Sequence, residues 1–411
     1  MASLIPVTTT RIGDHLPLLE LLSADAPLSW VRNGEGLVGW GVHATTKVSG
    51  RNRFEDARDW WHHQLENFSV ANSVHGSGTG PVLFTSFSFD RNEESVLVIP
   101  KVVVGQKGSQ SWITWIGDAP QPVLPESPAQ FSQGAFTFGD GSISTDAWKE
   151  RVAEAIKRID SSQVDKVVLA RDLVATSTQD IQAIPVLKKL AFEYPSTWTF
   201  AVDGLVGATP ELLLRLSRGM VTSRVLAGTI PKTGDDEKDL ALAASLARSS
   251  KDLEEHEYAV RSVAEALEPF CSSTNVPESP FVLHLANVMH LATDVTGALT
   301  ETKQRVDAFS LLKSLHPSAA VCGTPRNIAF DIIDEIEGMN RGRYAGPVGW
   351  IDASGDGELG IALRTGQISG KEIRIYAGCG IVAGSNPDKE LEESAAKMIP
   401  MKSALQHSSQ L

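Results

Sequence analysis

The sequence predicts an α+β fold with large antiparallel sheets flanked by helices, and three observations carry that prediction. β-rich runs follow one another with helical segments inserted, without strict strand–helix–strand alternation. Asn33-Gly34, Ser217-Arg218-Gly219 and Ser354-Gly355-Asp356-Gly357 separate neighbouring runs as hairpin turns. The 411 residues are 42% apolar and 21% charged, enough apolar material for a sizeable core and no sign of a long disordered tract.

The elements are justified in chain order. Trp30 to Gly34 and Leu37 to Trp40 read as a hairpin around the Asn-Gly turn. Phe54, Ala57, Trp61, Leu65 and Phe68 recur at helical spacing. Val82 to Phe89, Ser95 to Val104 and Ser111 to Ile116 are β-rich. Asp118 to Ser132 holds four prolines and reads as the linker between an N-terminal β-rich part, residues 1–130, and a region spanning 140–405. The two parts are expected to form one integrated unit. Ser144 or Thr145 caps a helix whose stripe is Trp148, Val152, Ile156 and Ile159. Val164 to Ala175, Thr197 to Val202 and Glu211 to Leu226 read as strands, and Asp236 to Arg248 and Asp252 to Phe270 as helices. Tyr344 to Ile351 and Gly357 to Gly366 form a hairpin, Arg374 to Val382 a strand, and Lys389 to Met398 the last helix.

The net charge is −13, which argues against a nucleic-acid or anionic-membrane partner, because both require a basic surface. An anionic substrate would need local positive charge at its site. Cys271, Cys322 and Cys379 are far apart and form no CxxC pair, so a disulfide framework or zinc knuckle is not expected and a reducing cytoplasm is. Met1 to His15 lacks the pattern of a signal peptide. No apolar run reaches the ~20 residues of a membrane span; Pro100 and Lys101 interrupt the best candidate, Ser95 to Gly105.

Two motifs are false leads. Gly34-Glu35-Gly36-Leu37-Val38-Gly39 matches GxGxxG but opens a hairpin, where a dinucleotide site needs a helix. His62 and His63 have no third metal ligand at useful spacing and read as a surface pair.

Two constellations bear chemistry. Asp252 with Glu255, and Glu390 with Glu393, are i,i+3 pairs on predicted helices, and each pair shares a face. Brought together they would make an oxygen-rich site for a hard dication. Apart, they are ordinary solvated faces, and Glu255 lies opposite the Leu253, Val260, Ala264, Leu267 stripe, where an exposed glutamate also lies. Lys166 interrupts the β-rich run Val164 to Arg171. It either snorkels to an edge or sits in a site, where burial lowers its pKa and suits it to act as a base.

These segments and their neighbours resemble the chorismate-utilising enzyme family. The resemblance is carried by Val164 to Arg171, Gly207-Ala208-Thr209-Pro210-Glu211-Leu212-Leu213, Leu226-Ala227-Gly228-Thr229 and Lys251-Asp252-Leu253-Glu254-Glu255-His256. It continues through Val288-Met289-His290-Leu291, His316 to Gly323, Tyr344 to Gly349, Ala362-Leu363-Arg364 and Ala377 to Ile381, and ends at Glu390-x-x-Glu393-x-x-x-Lys397. The motifs run in family order from about residue 145 to 400, while residues 1 to 130 resemble the family loosely.

The resemblance implies a layered fold with the site between its sheets. It implies Mg2+ held by Glu255 and Glu393, with Asp252 and Glu390 as accompanying acids. It places Lys166 as general base and Glu211 as general acid. Tyr344, Arg364, Lys397 and the Gly378/Gly380 backbone match groups around the carboxylates of chorismate, which would supply the local positive charge. Gly228, Thr229 and His290 match further site positions. Where family members that work through a lysine nucleophile carry that lysine, this chain has Ala227. Lys166 with Ala227 resembles the isochorismate and salicylate synthases, and the small Ala320-Val321 pair the isochorismate synthases. The resemblance thus implies a chorismate–isochorismate isomerase, with no glutaminase subunit and with a monomer expected. A menaquinone pathway is favoured over a siderophore pathway. Salicylate synthesis, chorismate amination with a glutaminase partner and a catalytically silent chorismate-binding homologue are the competing readings.

Overall fold

A computed structural model describes residues 4–131, 134–301 and 306–406. Ser132, the end of the expected linker, and Met1 to Ser3, the start of the N-terminal reading, lie outside the described residues. Residues 118–131 carry no regular secondary structure.

The strands form one connected ladder, antiparallel throughout except where Ile5–Ile12 runs parallel to Phe68–Asn72. Asn33 and Gly34 adopt positive φ of 51° and 79°, as a two-residue hairpin turn requires, and set the register Leu28↔Gly39 to Arg32↔Glu35. The long strand Ser95–Lys107 is the hinge of the ladder, pairing with Glu35–Val48, Val82–Ser86 and Gln110–Ile116. From Val82–Ser86 the ladder runs through Pro347–Asp352, Gly357–Ile361 and Leu212–Ser217 to Met220–Pro231 and Val288–Leu299. On the other side it runs from Leu28–Arg32 through Trp198–Val202, Leu205–Thr209, Thr365–Ser369 and Glu372–Ile381 to Lys166–Ser177.

The strands bend back into two layers. A core of strand residues, among them Trp30, Phe84, Val103, Phe200, Leu212 and Trp350, fills the space between them. Helices cover the outer faces. Phe54, Trp61, Trp148, Val152, Ala259 and Val263 join one outer cluster, and Leu187, Leu190, Met398 and Met401 join another. Strands of the first 130 residues pair directly with later ones, as Thr199↔Val31 and Val348↔Ser86 show.

Several expected elements shift. The aromatic helix spans Arg53–Glu66 and ends before Phe68, which starts a strand instead. The Ser144-capped helix buries Ala155 rather than Ile156 on its stripe. The run expected over Gly357 to Gly366 breaks at Ala362–Arg364 into two strands. Helices Ala183–Glu193, Ala308–Leu315 and Arg326–Ile336 were not foreseen. His62 and His63 are exposed, and the GxGxxG segment lies in the hairpin. No described helix is long and apolar enough to cross a membrane.

Candidate active site

Strands from both arms of the ladder, with residues of helices Ser250–Leu267 and Pro387–Gln406, line one common cavity. Its lining includes Glu211, Gly228, Thr229, Glu255, His290, Ala320, Tyr344, Arg364, Gly378, Gly380 and Lys397. Each of these was singled out in the sequence; Arg341 lines the cavity as well, while Lys166, Asp252, Glu390 and Glu393 lie behind it rather than among its lining residues.

Local folding explains their convergence. The ladder between Met220–Pro231 and Val288–Leu299 slips at a bulge, so that Ala227 faces Leu291 but Thr229 faces His290. Gly228 sits in the bulge at φ 74°, and a Cβ there would lie 3.0 Å from the Cβ of Asp252. Glycine thus lets the acidic helix lie against the strand. Gly380 has a second steric role: its Cβ would fall 2.2 Å from Glu255 Oε1 and 2.9 Å from Lys166 Cε. Arg364 and Ala345 line the cavity with positive φ of 49° and 62°, costly backbone for residues other than glycine.

Lys166 is fully buried, with Nζ 3.1 Å from Glu255 Oε1, close enough for an ion pair but not aligned as a hydrogen bond. Burial works against the Glu255 charge, but Lys166 and Lys397 outweigh it and hold the carboxyl below its ordinary range. Lys397 donates to the Gly378 carbonyl at 3.0 Å and pairs with Glu393 at 2.6 Å. Glu211 is different. Burial pushes its pKa up to about 8, and the charges of Lys166, Arg364 and Lys397 recover only part of the shift. It is therefore mostly a neutral acid at pH 7. Arg364 donates to His290 Nε2 at 3.0 Å, so His290 carries its proton on Nδ1 and gives it to Thr229 Oγ1 at 3.1 Å. Burial and Arg364 hold His290 neutral.

The acids converge incompletely. Among the described residues, the ligand atoms of Glu390, Glu393 and Cys379 lie within 4.8 Å of one another, and Asp252 and Glu255 do not join them at that radius. Burial raises the Cys379 thiol well above its ordinary pKa, and it donates to the Glu390 carbonyl; a soft sulfur also suits a hard dication less well than the carboxylates beside it. Burial raises the pKa of Asp252, with Glu255 and Glu393 adding to the rise, so all three carboxylates share one region. This donor set, all oxygen and from two helices, fits a hard dication. The expectation that Glu255 lies opposite the apolar stripe is corrected: the buried face is His256, Ala259, Val263 and Leu267, and Glu255 is its neighbour, 14% exposed.

Arg341 was not foreseen. It lines the cavity, pairs with Glu337 at 2.5 Å and donates to the carbonyls of Val168 and Val321. Glu337 in turn accepts from Ala170 N–H at 2.7 Å. This buried pair ties the Lys166 strand to the Ala320-Val321 segment. Its signal in the sequence is an i,i+4 Glu/Arg spacing, which reads as a surface pair.

The family described as "Chorismate binding enzyme" matches residues 28–119 and 123–406. Isochorismate synthase MenF of Bacillus subtilis is 34% identical over 403 residues, covering 90% of this chain and 85% of the relative. The crystal structure of a putative 2,3-dihydroxybenzoate-specific isochorismate synthase, DhbC from Bacillus anthracis, superposes with a TM-score of 0.79 at 30% identity, covering 94% of this chain and 98% of that one. MenF from Escherichia coli, a menaquinone-specific isochorismate synthase, superposes with a TM-score of 0.81 at 23% identity, covering 98% and 95%. This last likeness is one of fold.

Proposed function

The chain belongs to the chorismate-binding enzyme family, and we propose that within it this protein is a magnesium-dependent isochorismate synthase. The observation that carries the reading is a buried carboxylic acid, Glu211, set in a cavity lined by cationic side chains.

Chorismate is a dicarboxylate, and Arg364 and Lys397 answer its charge within a chain of net charge −13. Glu255 and Glu393, with Asp252 and Glu390 beside them, would hold Mg2+, which neutralises the ring carboxylate and the repulsion among the acids. Water attacks C2, the ring double bonds shift, and the C4 hydroxyl leaves. Lys166, as the neutral amine, receives the proton of the attacking water; Mg2+ on Glu255 would take over the charge that the ammonium form answers there and so favour the neutral form. Glu211 donates a proton to the departing hydroxyl. Substrate and product are isomers with the same kinds of bonds and so lie close in free energy, and the reaction is expected to run in both directions. Neutral His290, fixed by Thr229, orients Arg364.

The competing reading is salicylate synthesis, which adds loss of pyruvate. Ala320 argues against it by the family pattern, whereas Lys166 with Ala227 is common to both readings. Incubation with chorismate and magnesium, followed by chromatography, is expected to yield isochorismate beside residual chorismate. Salicylate and pyruvate dominating from the earliest times would establish the other reading. No product at all, from folded protein that binds chorismate, would identify a silent homologue. Ala320 within a small apolar segment favours the menaquinone pathway, which the neighbouring genes would test.

The pH dependence tests Glu211 separately. A general acid must be protonated, so activity is present below its pKa and lost above it. With burial raising that pKa to about 8, kcat/KM is expected to fall about tenfold per pH unit on the alkaline side. Glu211→Gln should abolish this limb along with most of the activity. An alkaline limb that persists unchanged in the residual activity belongs to another group.

A further inference from the structure

A second cavity, of about 520 Å³, opens away from the catalytic one. It lies between the start of helix Arg53–Glu66, the Phe89–Arg91 turn, and the junction of helices Ala308–Leu315 and Arg326–Ile336. Arg51, Arg53, Arg91, Lys313 and Arg326 line it, with Asp331 as the lining acid. Such a concentration of positive charge is unexpected in a chain of net charge −13. Lys313 is paired with Glu55. No described carboxylate forms an ion pair with the four arginines.

Two of the lining groups are buried and incompletely satisfied. Arg53 is 6% exposed, its guanidinium lies over the Phe54 ring at 4.6 Å, and its Nε has no hydrogen-bond partner. His316 is 4% exposed and neutral; its Nε2 donates to the Phe89 carbonyl, so its unpartnered Nδ1 is an acceptor that can take a hydrogen bond from a ligand hydroxyl but does not bind the anionic group. Arg53 forms no ion pair and makes one long hydrogen bond, to the Gly50 carbonyl. Burial lowers its pKa to about 10, the charges of Asp90 and Glu55 only partly offset this, and an anion would relieve that cost. The start of helix Arg326–Ile336 has no side-chain cap and no acid in its first turn, so its positive end is also free to meet an anion. The walls are flat and apolar: Phe89 and Phe330 stack at 5.7 Å, with Phe54 and Pro317 beside them.

We propose that this cavity binds an organic dianion, a phosphate or paired carboxylates carried on a flat ring, as an effector of the catalytic site. The arginines hold the charged end and the phenylalanines the ring. The coupling is short. His316 and Pro317 line this cavity, while Ala320 and Val321, a few residues on in the same segment, line the catalytic one.

The test is calorimetric titration of the full chain, without magnesium, using phenyl phosphate, phthalate and inorganic phosphate as probes. Phenyl phosphate or phthalate is expected to bind more tightly than inorganic phosphate, and which of the two binds better separates the phosphate source from the carboxylate source. Saturating chorismate should not displace the probe. The variant Arg91→Gln/Arg326→Gln changes two exposed residues and should melt as the parent does, yet bind the probe roughly tenfold or more weakly, the loss expected for removing charge-assisted contacts. Arg53→Met should abolish binding, and its melting point shows whether it remains folded. The probe should also shift the KM for chorismate in the parent and not in the double variant. Binding unchanged in the double variant, displacement by chorismate, or inorganic phosphate binding as tightly as phenyl phosphate overturns the site. Binding without a KM shift overturns its effector role. The binding arms do not depend on the proposed reaction, so they fail or succeed independently of it.

Discussion

Stripping divalent cations with EDTA is expected to abolish turnover, and excess magnesium to restore it. The physical reason is the concentration of acids. Glu255, Glu390, Glu393 and Asp252 approach one region from two helices, where Lys251, Lys166 and Lys397 already neutralise part of the charge. A dicarboxylate adds more negative charge to the same space, and side chains alone provide too little compensation close to the ring carboxylate. Glu255→Gln and Glu393→Gln should therefore remain folded, lose turnover, and lose magnesium binding as measured by calorimetry. The binding measurement separates a metal role from a structural one. A chelated enzyme with full activity, or variants that bind magnesium normally, would sink the metal assignment.

The sequence made some parts of this site legible and hid others for physical reasons. The acidic i,i+3 pairs and the lysine inside a β-rich run stand out because they break local patterns. The hairpin at Asn33-Gly34 was legible because its backbone demands those residues. What defeated periodicity was burial of polar groups. The helix bearing Glu255 buries His256, which is hydrogen-bonded to Thr293 at 2.7 Å, so its inner face does not read as apolar. Arg341 and Glu337 were missed because an i,i+4 ion pair gives no hint that its side chains are only 3% and 2% exposed. Helix Ala183–Glu193 was missed because a short apolar stretch with Pro185 reads equally well as a strand or a loop. The apposition of the two acidic helices depends on the ladder bending back, and no local spacing encodes it.

Replacing either member of the acid–base pair is expected to reduce turnover by roughly 10²- to 10⁴-fold, the usual contribution of a positioned proton-transfer group. Chorismate affinity should change much less, because each proton moves in the transition state. For Glu211 the clean variant is glutamine, which keeps shape and hydrogen bonding and cannot protonate the leaving hydroxyl. Lys166 needs more care, because it is also the buried counterion of Glu255. Lys166→Ala leaves that carboxylate short of one cation, and breaking a buried pair this way costs about 3–5 kcal/mol. Lys397 and Lys251 still act on Glu255, which keeps the loss toward the lower end. Lys166→Gln is the better probe: its amide can still donate to Glu255 but cannot take a proton from water. A base role predicts that both variants lose turnover alike while Lys166→Gln melts closer to the parent. A purely structural role predicts that turnover recovers with stability in Lys166→Gln. Comparing turnover, chorismate affinity and melting across these two variants therefore decides whether Lys166 does chemistry or only holds Glu255 in place.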